Sequence, residues 1–598
     1  MKRILSSVFF ILFTSTISAA SLQKAADRLI DQVDPSINIG VSVVDLNTGE
    51  TIYQRNPTRS FIPASNMKLF SDAAALMALG PDYRYKNQLS TNASMIEQGV
   101  LKGSLYLHLP GDPSFNQNDL ASLLASLKSL GIKRIQGNVV ILSQNRYITP
   151  QAPGWMVEDL KHSYGAPIAP LILDENRLTV TVNPAHKPGI PALVETDNPS
   201  GNWLINNQVN TKPNGRSCGV DFSMDRENRL TVRGCVGVGQ WAVQQRIPIQ
   251  NPLRYAQTLV RQKLLDIHIK LDGDIVLGNS PGNLLLLSTQ RSKPIAQLMA
   301  DTLKPSDNLY ADSLFLHTAA KLSGTPLNWK QAQETVKNFL QKQTGVNLEN
   351  AVLTDGSGLS RYDQLTPLQT VGLLRYLHDR FPLTYEYIAA LPIAGHDGTL
   401  QRRFRKPEQQ GFIRAKTGYM TGVVSLSGYL YTANAHTLAF AIFINNMPGT
   451  SPKISGRYRY LVDALCDHFL KQKPKHHFIQ LAKHPHLRVA YQNSPAEAEV
   501  KRSKNARWRG LESALKHELT GVAIIFRGDE LILNDYNKET NTVWSSLQTI
   551  RKKYTFGVTL ESAKAPNTQN NLPLMLWIKQ SKSSTNPYRI WKVRETVS

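Results

Sequence analysis

The stretch Ser65-Asn-Met-Lys-Leu-Phe-Ser-Asp-Ala-Ala-Ala-Leu-Met-Ala-Leu79, two residues after Pro63, decides how the rest of the chain is read. Met67, Phe70, Ala74, Leu76 and Met77 recur near the 3.6-residue period of an amphipathic helix, and a proline just ahead is a start signal. Ser65 then opens the helix, and the three-residue spacing stacks Lys68 beside it on one face. A neutral amine so placed can take the hydroxyl proton, and the helix N-terminus favours the anion that develops. The competing reading makes Ser65 an N-cap and Lys68 a solvated helix charge. Spacing alone does not choose, because Ser21-Leu-Gln-Lys24 and Ser513-Ala-Leu-Lys516 repeat the pattern.

Two further strings weigh in. Ser306-Asp-Asn308 follows Lys304-Pro305 and precedes the helical run Leu309 to Leu322, so its short polar side chains sit at a helix entrance. As chemistry, Ser306 relays a proton to a leaving amine and Asn308 bonds the peptide backbone of a substrate; otherwise the string is a capping turn. Lys416-Thr-Gly418 begins a strand-rich stretch. There Gly418 lets a substrate backbone lie close to the strand edge, and Lys416 and Thr417 can bind a terminal carboxylate; otherwise it is a surface strand end. Gly278-Asn-Ser-Pro-Gly282 matches the G-x-S-x-G elbow. In that elbow the residue after Ser donates its N–H to the oxyanion, and Pro281 has none.

Texture divides the chain. From about Tyr85 to Asn283 short alternating runs such as Gly103-Ser-Leu-Tyr-Leu-His-Leu109 and Leu178-Thr-Val-Thr-Val182 read as mostly β. Helical periodicity returns over Ser292 to Leu322. Ala415 to Asn446 carries three strand-like runs, with the turn signal Ala433-Asn-Ala-His436, and reads as an antiparallel meander closed by a helix around Leu461 to Leu470. The expected organisation is a leader at 1–20, a motif-bearing domain in two parts at 21–84 and 284–470, an inserted mainly-β region at 85–283, and a basic extension at 471–598. The extension holds 22 Lys and Arg against 10 Asp and Glu, with strand-like Val522-Ala-Ile-Ile-Phe526 and Leu574-Met-Leu-Trp-Ile578 after a helix-like Leu511 to Leu519. It reads as a small α+β module.

A chain of 598 residues accommodates three or four domains of about 100 to 200 residues. Lys2-Arg3, the apolar run Ile4 to Phe13 and the small residues up to Ala20 form a secretory signal pattern, with cleavage expected near Ala19 or Ala20. About ten apolar residues are too few to span a hydrocarbon core of about 30 Å, so the mature chain is expected to be soluble and outside the cytoplasm. Cys218 and Cys235 flank a strand, a polar turn and a strand, with the turn centre midway between them. A hairpin there brings them within bridging distance, and closing the loop contributes about 3 kcal/mol. Cys466 reads as a helix-core thiol. Net charge is +23, and anionic partners outside a cell are wall polymers and lipid headgroups rather than nucleic acid. There is no His-Glu-x-x-His and no Cys-x-x-Cys, and His476, His484 and His486 lie in a basic stretch, so neither a catalytic metal nor a cofactor is expected.

Ser-x-x-Lys, Ser-Asp-Asn and Lys-Thr-Gly in that order form a set shared by β-lactamases and penicillin-binding proteins. About 240 residues separate Ser65 from Ser306, far more than a class A β-lactamase holds. With Ala152-Pro-Gly-Trp155, Asp355-Gly-Ser-Gly-Leu-Ser-Arg361 and Gly395-His-Asp-Gly-Thr-Leu400, the chain from about Ser21 to Leu470 resembles the class C low-molecular-mass penicillin-binding proteins, the D-alanyl-D-alanine carboxypeptidase and endopeptidase family. The resemblance implies an α+β fold, with a β-lactamase/transpeptidase-like domain whose antiparallel sheet is flanked by helices, and an insertion beside the cleft. It implies an acylation and hydrolysis cycle on peptidoglycan, with Ser65 as nucleophile and Lys68, Ser306, Asn308 and Lys416 as catalytic partners. Penicillin and other β-lactams would acylate the same serine, their carboxylate taking the place of the substrate's. Thr417, Gly418, Tyr419 and Asp159 would bind substrate, Asp159 at the family position that contacts the amino group of the diamino acid. The backbone N–H groups of Ser65 and Tyr419 would form the oxyanion hole. Tyr419-Met420 stand where smaller residues are usual, and 471–598 has no counterpart in the family. Its excess of positive charge suggests attachment to an anionic wall polymer or membrane surface, in the periplasm. A β-lactamase or esterase on the same scaffold, and a wall-binding scaffold without turnover, are the alternatives.

Overall fold

The run Thr437-Leu-Ala-Phe-Ala-Ile-Phe-Ile-Asn445 has no polar residue between its ends, as a strand covered on both faces requires. In the computed structural model it lies inside a five-stranded antiparallel sheet. Labelled in chain order, the strands are β1 (Asn38–Asp45), β2 (Thr51–Arg55), β3 (Ile413–Met420), β4 (Val423–Tyr431) and β5 (Thr437–Asn445), arranged β3-β4-β5-β1-β2. The meander read from 415 to 446 is β3 to β5, and β1 joins it by pairing Asn38 with Asn445 through to Asp45 with Leu438. Described residues are 23–471 apart from 202, 434 and 450, and the strand segments 487–491, 498–502, 523–527, 530–534, 557–558, 571–579 and 588–596.

Because strand side chains alternate, β5 feeds two cores. Ala439, Ala441 and Phe443 join one core with Met67, Phe70, Leu76, Leu303, Leu314 and Phe315. Leu438, Phe440, Ile442 and Ile444 join the other with Ile30, Tyr53, Leu465 and Phe469. The first core gathers α1 (Lys68–Leu79), α2 (Ile295–Leu303), α3 (Asn308–Ser323), α4 (Trp329–Thr344) and α5 (Pro367–His378). The second is closed by residues 23–33 and by α6 (Pro452–Leu470), which carries the buried thiol of Cys466. Every residue of α3 from Asn308 to Ala320 is buried, so the Ser-Asp-Asn string at its head opens into the interior.

Between the two parts of this domain the chain builds a separate core from Leu89, Leu107, Ile141, Val180, Val232 and Leu259, among others. The region is mainly β, as read, but it also holds helices Gln117–Ser129 and Pro252–Asp266. Their start signals were present in the sequence: Asn116 forms a capping box with Asp119, and Asn251 caps a helix with Pro at its first turn. The predicted hairpin pairs Val220–Met224 with Leu230–Gly237. Its register sets Val220 opposite Gly234, one step from placing the cysteines face to face, and the Cys218–Cys235 disulfide forms with Cα atoms 5.0 Å apart.

The chain divides into two compact units, Met1–Tyr431 with His436–Leu470 and Thr432–Ala435 with Lys471–Ser598. Of the two strands read there, Val522–Phe526 corresponds to Ala523–Arg527 and Leu574–Ile578 lies within Asn571–Lys579. The helix read at 511–519, the leader at 1–20 and the histidines at 476, 484 and 486 lie outside the described residues.

Candidate active site

Ser65 sits in a tight 3-10 turn, Ala64–Met67, that runs directly into α1. Ala64, just before it, adopts φ +48°, a left-handed backbone that an L-residue holds only under tertiary constraint. The constraint comes from two sides. Asn66 Nδ2 donates to Ser425 Oγ on β4 at 2.5 Å, and that hydroxyl donates to the Pro63 carbonyl at 2.7 Å. Opposite, Gly358 has φ +79° and lies so close that a Cβ there would fall 1.9 Å from the Ala64 carbonyl oxygen. Gly418 serves this packing. A Cβ on it would meet Ser425 Oγ at 2.1 Å and the Pro63 carbonyl oxygen at 2.8 Å, so the glycine brings β3 against the serine's turn. This packing role comes in addition to the expected one, close approach of a substrate.

Lys68 is fully buried, which excludes the solvated-charge reading, and the N-cap positions of the turn and of α1 fall on Pro63 and Met67 rather than on Ser65. The Lys68 ammonium reaches three oxygens: Ser65 Oγ at 2.9 Å, Asn308 Oδ1 at 2.7 Å and the Ser357 carbonyl at 2.7 Å. Burial pushes this amine down to about 8, against the opposing pull of Asp312, Asp355, Asp307 and Asp72. Two of the three partners are carbonyl oxygens and can only accept. A neutral Lys68 therefore spends both N–H groups on Asn308 and Ser357 and turns its lone pair to the Ser65 hydroxyl.

The head of α3 supplies the other half. Asp307 is the N-cap, accepting from Tyr310 N–H at 3.3 Å, and is gripped by the buried Arg177 guanidinium at 2.5 and 3.0 Å. Burial pushes the Asp307 carboxyl up, but Arg177 more than offsets it and holds the group below its ordinary range. This fork fixes Ser306, itself at φ +66°, where Lys416 Nζ donates to its Oγ at 2.7 Å. Lys416 is fully buried and also donates to the Thr417 carbonyl at 2.9 Å. Burial, reinforced by repulsion from Lys68, pushes the Lys416 amine well below its usual value. Asn308, expected to bond substrate, is already engaged at both ends: Oδ1 holds Lys68, and Nδ2 donates to the Tyr164 carbonyl at 3.0 Å, leaving one N–H.

The strand β3 lies at the edge of the sheet. Over its first half that edge is covered, with Ala394 N–H donating to Ile413 O at 2.9 Å and Ala415 N–H to Pro392 O at 3.1 Å. Backbone groups alternate along a strand, so the N–H groups of Thr417 and Tyr419 point to the same outer edge. Tyr419 is exposed, and the hydroxyls of Thr417 and Thr399 lie 2.8 Å apart. Ser65, as second residue of its turn, likewise has an N–H ahead of the first bond within the turn. Asp159, in the insertion, accepts from the Tyr164 hydroxyl at 3.0 Å, and Tyr164 is the residue whose carbonyl holds Asn308.

The structure thus brings Ser65, Lys68, Ser306, Asn308, Lys416, Thr417, Gly418 and Tyr419 together, with Asp159 linked through Tyr164. Sequence reasoning missed Ser357, Thr399 and Arg177. The first two lie inside the strings 355–361 and 395–400 that were singled out, whereas no local signal marks Arg177.

Comparison with known proteins bears on this arrangement. A family model described as the D-Ala-D-Ala carboxypeptidase 3 (S13) family matches residues 22–461. The chain is 30% identical over 425 residues to the D-alanyl-D-alanine carboxypeptidase DacB of Haemophilus influenzae, covering 70% of this chain and 87% of that protein. It is 29% identical over 453 residues to the D-alanyl-D-alanine carboxypeptidase of an Actinomadura species, covering 72% and 82% respectively. The crystal structure of penicillin binding protein 4 (dacB) from Haemophilus influenzae matches with a TM-score of 0.68 at 28% identity, over 75% of this chain and 99% of that one. The same protein complexed with a β-lactam matches with a TM-score of 0.63 at 28% identity, over the same shares.

Proposed function

We propose how a chain that belongs to the D-Ala-D-Ala carboxypeptidase 3 (S13) family, and is thus a serine-type D-alanyl-D-alanine carboxypeptidase, carries out its reaction: through an acyl-enzyme on Ser65. Ser65 Oγ attacks the carbonyl carbon of the penultimate D-Ala while its proton passes to the neutral Lys68 amine. The tetrahedral oxyanion forms between the N–H groups of Ser65 and Tyr419, two fixed donors that contribute several kcal/mol at such sites. Collapse breaks the C–N bond, and the leaving amine takes a proton relayed by Ser306, which Lys416 holds in place, the proton that Ser65 gave to Lys68 balancing the transfer. Water then hydrolyses the ester and restores Ser65.

The observation that carries this reading is the pairing of a fully buried, lowered Lys68 with two acceptor-only carbonyls and one serine hydroxyl. Lys416, hidden behind Ser306, acts on that serine, and the Thr417–Thr399 hydroxyl pair at the open edge of β3 takes the terminal carboxylate. Asp159 with Tyr164 meets the far end of the stem peptide. Peptidoglycan stem peptides are the substrate, and β-lactams acylate the same serine; the Haemophilus relative with a bound β-lactam supports this. Cross-link cleavage, a DD-endopeptidase activity, follows from the same chemistry with a longer leaving amine. The leader pattern at 1–20 directs export to the periplasm with cleavage near Ala20; among the described residues no helix is long and apolar enough to cross a membrane. The extension 471–598 binds an anionic wall polymer or membrane surface through its excess of positive charge.

Labelling with fluorescent penicillin tests the core of this. Covalent label is expected on the wild type and absent from Ser65→Ala; label that persists in the variant refutes the nucleophile. Rapid loss of label would instead indicate a β-lactamase. Product analysis on purified muropeptides is expected to show D-Ala release together with cross-link cleavage. Truncation after Leu470 that leaves salt-sensitive sacculus binding unchanged would refute the role given to the extension.

A further inference from the structure

The helix α3 reaches Lys68 by two routes. The direct one is Asn308 Oδ1 at 2.7 Å. The indirect one begins a turn later at Asp312, whose Oδ1 accepts the N–H groups of Gly356 at 2.8 Å and Ser357 at 2.9 Å. Ser357 in turn presents its carbonyl to Lys68 Nζ at 2.7 Å. Asp312 is fully buried, and its other oxygen has no hydrogen-bond partner among the described residues. All the bonding of this carboxylate is therefore spent on one short loop.

We propose that Asp312 is a positioning residue for the Ser65–Lys68 pair, fixing through the backbone of Gly356 and Ser357 the carbonyl that aims the Lys68 lone pair at the serine hydroxyl. The inference rests on Ser65 and Lys68 acting as nucleophile and base.

The surrounding bonds make the loop a rigid bracket. Asp355 Oδ1 accepts Gly358 N–H at 2.6 Å, and this N–H shares a planar peptide with the Ser357 carbonyl, so that plane is held from its far side. Ser71, one turn along from Lys68, donates to the Gly356 carbonyl at 2.7 Å. Asp355 Oδ2 accepts from Ser360 N–H and Trp155 Nε1, both at 2.8 Å. These contacts order the loop within itself and against α1 and Trp155. Asp312 is the side chain that ties it to α3, the helix carrying Asn308. Gly356 lets this approach happen, since a Cβ there would fall 2.5 Å from the Ala311 carbonyl oxygen and 2.5 Å from Phe315 Cβ. With one of its two carbonyls released, a neutral Lys68 could turn an N–H toward Ser65 and lose the alignment that makes it a base. Burial pushes the Asp312 carboxyl up and Lys68 pulls it back. In either protonation state a side-chain oxygen remains to accept both N–H groups, so positioning does not need the charge.

The test compares full-length wild type with Asp312→Ala, Asp312→Asn, Gly356→Ala and Ser65→Ala, using fluorescent penicillin at varied concentration to separate non-covalent binding from the acylation rate constant. Asp312→Ala is expected to slow acylation about 100-fold, the scale of a misplaced catalytic group, with non-covalent binding unchanged. Asp312→Asn keeps an acceptor oxygen and is expected to recover most of that loss. Gly356→Ala, which pushes the loop off α3, is expected to slow acylation like Asp312→Ala. Wild-type acylation in Asp312→Ala, a loss in Asp312→Asn as large as in Asp312→Ala, or a defect confined to non-covalent binding overturns the inference. If Asp312→Ala does not fold, as read by thermal unfolding, the contrast between Asp312→Asn and Gly356→Ala decides by the same criteria. Label surviving in Ser65→Ala would instead remove the nucleophile assignment itself.

Discussion

If neutral Lys68 is the base, acylation must follow the deprotonated fraction of one buried amine. The groups facing that amine are Asp72 on its own helix, Asp307 and Asp312 at the head of α3, Asp355 on the adjoining loop and Lys416 on β3. Their sum with burial leaves Lys68 at about 8. The sign is fixed: the charged form cannot take a proton, so the rate constant rises with pH and levels off above the pKa. With that value about 1% of the amine is free at pH 6, about 9% at pH 7 and about 90% at pH 9. Acylation by fluorescent penicillin under saturating conditions is therefore expected to climb about tenfold from pH 6 to 7 and about tenfold again from pH 7 to 9. Lys68→Arg keeps the cation but cannot deprotonate, and is expected to lose a factor of about 10² to 10⁴ at every pH, the usual contribution of a general base. Rapid-mixing measurements of label incorporation, corrected for penicillin breakdown, give the profile. A flat rate from pH 6 to 9, or near-wild-type acylation by Lys68→Arg, would refute the assignment of Lys68 as base.

Other substitutions probe how the site is held. Gly418→Ala puts a methyl group into Ser425 Oγ and the Pro63 carbonyl, and a displaced serine turn is expected to slow acylation by about 10-fold or more, with partial recovery when Ser425→Ala is added. Arg177→Met strands the buried Asp307 carboxylate, and removing one partner of a buried pair costs about 3 to 5 kcal/mol; denaturant unfolding is expected to show that loss, and an unchanged midpoint counts against it. Thr399→Ala is expected to raise KM for a D-Ala-terminated peptide more than it lowers kcat, while a peptide lacking the free carboxylate is unaffected. Reduction of the Cys218–Cys235 bridge, which spans 17 positions, is expected to destabilise the insertion by about 3 kcal/mol, seen as a lower unfolding temperature with reductant.

The fold was legible wherever the signal was local. Period-3.6 spacing after Pro63 gave α1, and unbroken apolar strands gave the meander. The polar turn between Cys218 and Cys235 gave the hairpin, though not its register, which is set by the loop 225–229 between Met224 and Leu230, with Asn228 at φ +57°. The two helices of the insertion were hidden among short strands, although their caps were there to be read. Site chemistry was legible as three strings in order. Folding added to their meaning: Gly418 also makes room for a serine turn, and the Asn308 amide also holds Lys68 and the Tyr164 carbonyl.

By itself the sequence determined which reactive groups exist and which of them share a helix face or a strand edge, because three-residue and two-residue spacings translate directly into geometry. It could not determine what Lys68 is. A lysine three residues after a serine is a solvated charge or a base depending on burial and partners, and those partners lie 240 and 289 positions away at Asn308 and Ser357. Only the tertiary structure removes water from the amine, lowers its proton affinity and sets two carbonyls around it. Desolvation and long-range hydrogen bonding are properties of the folded chain, and no local pattern encodes them.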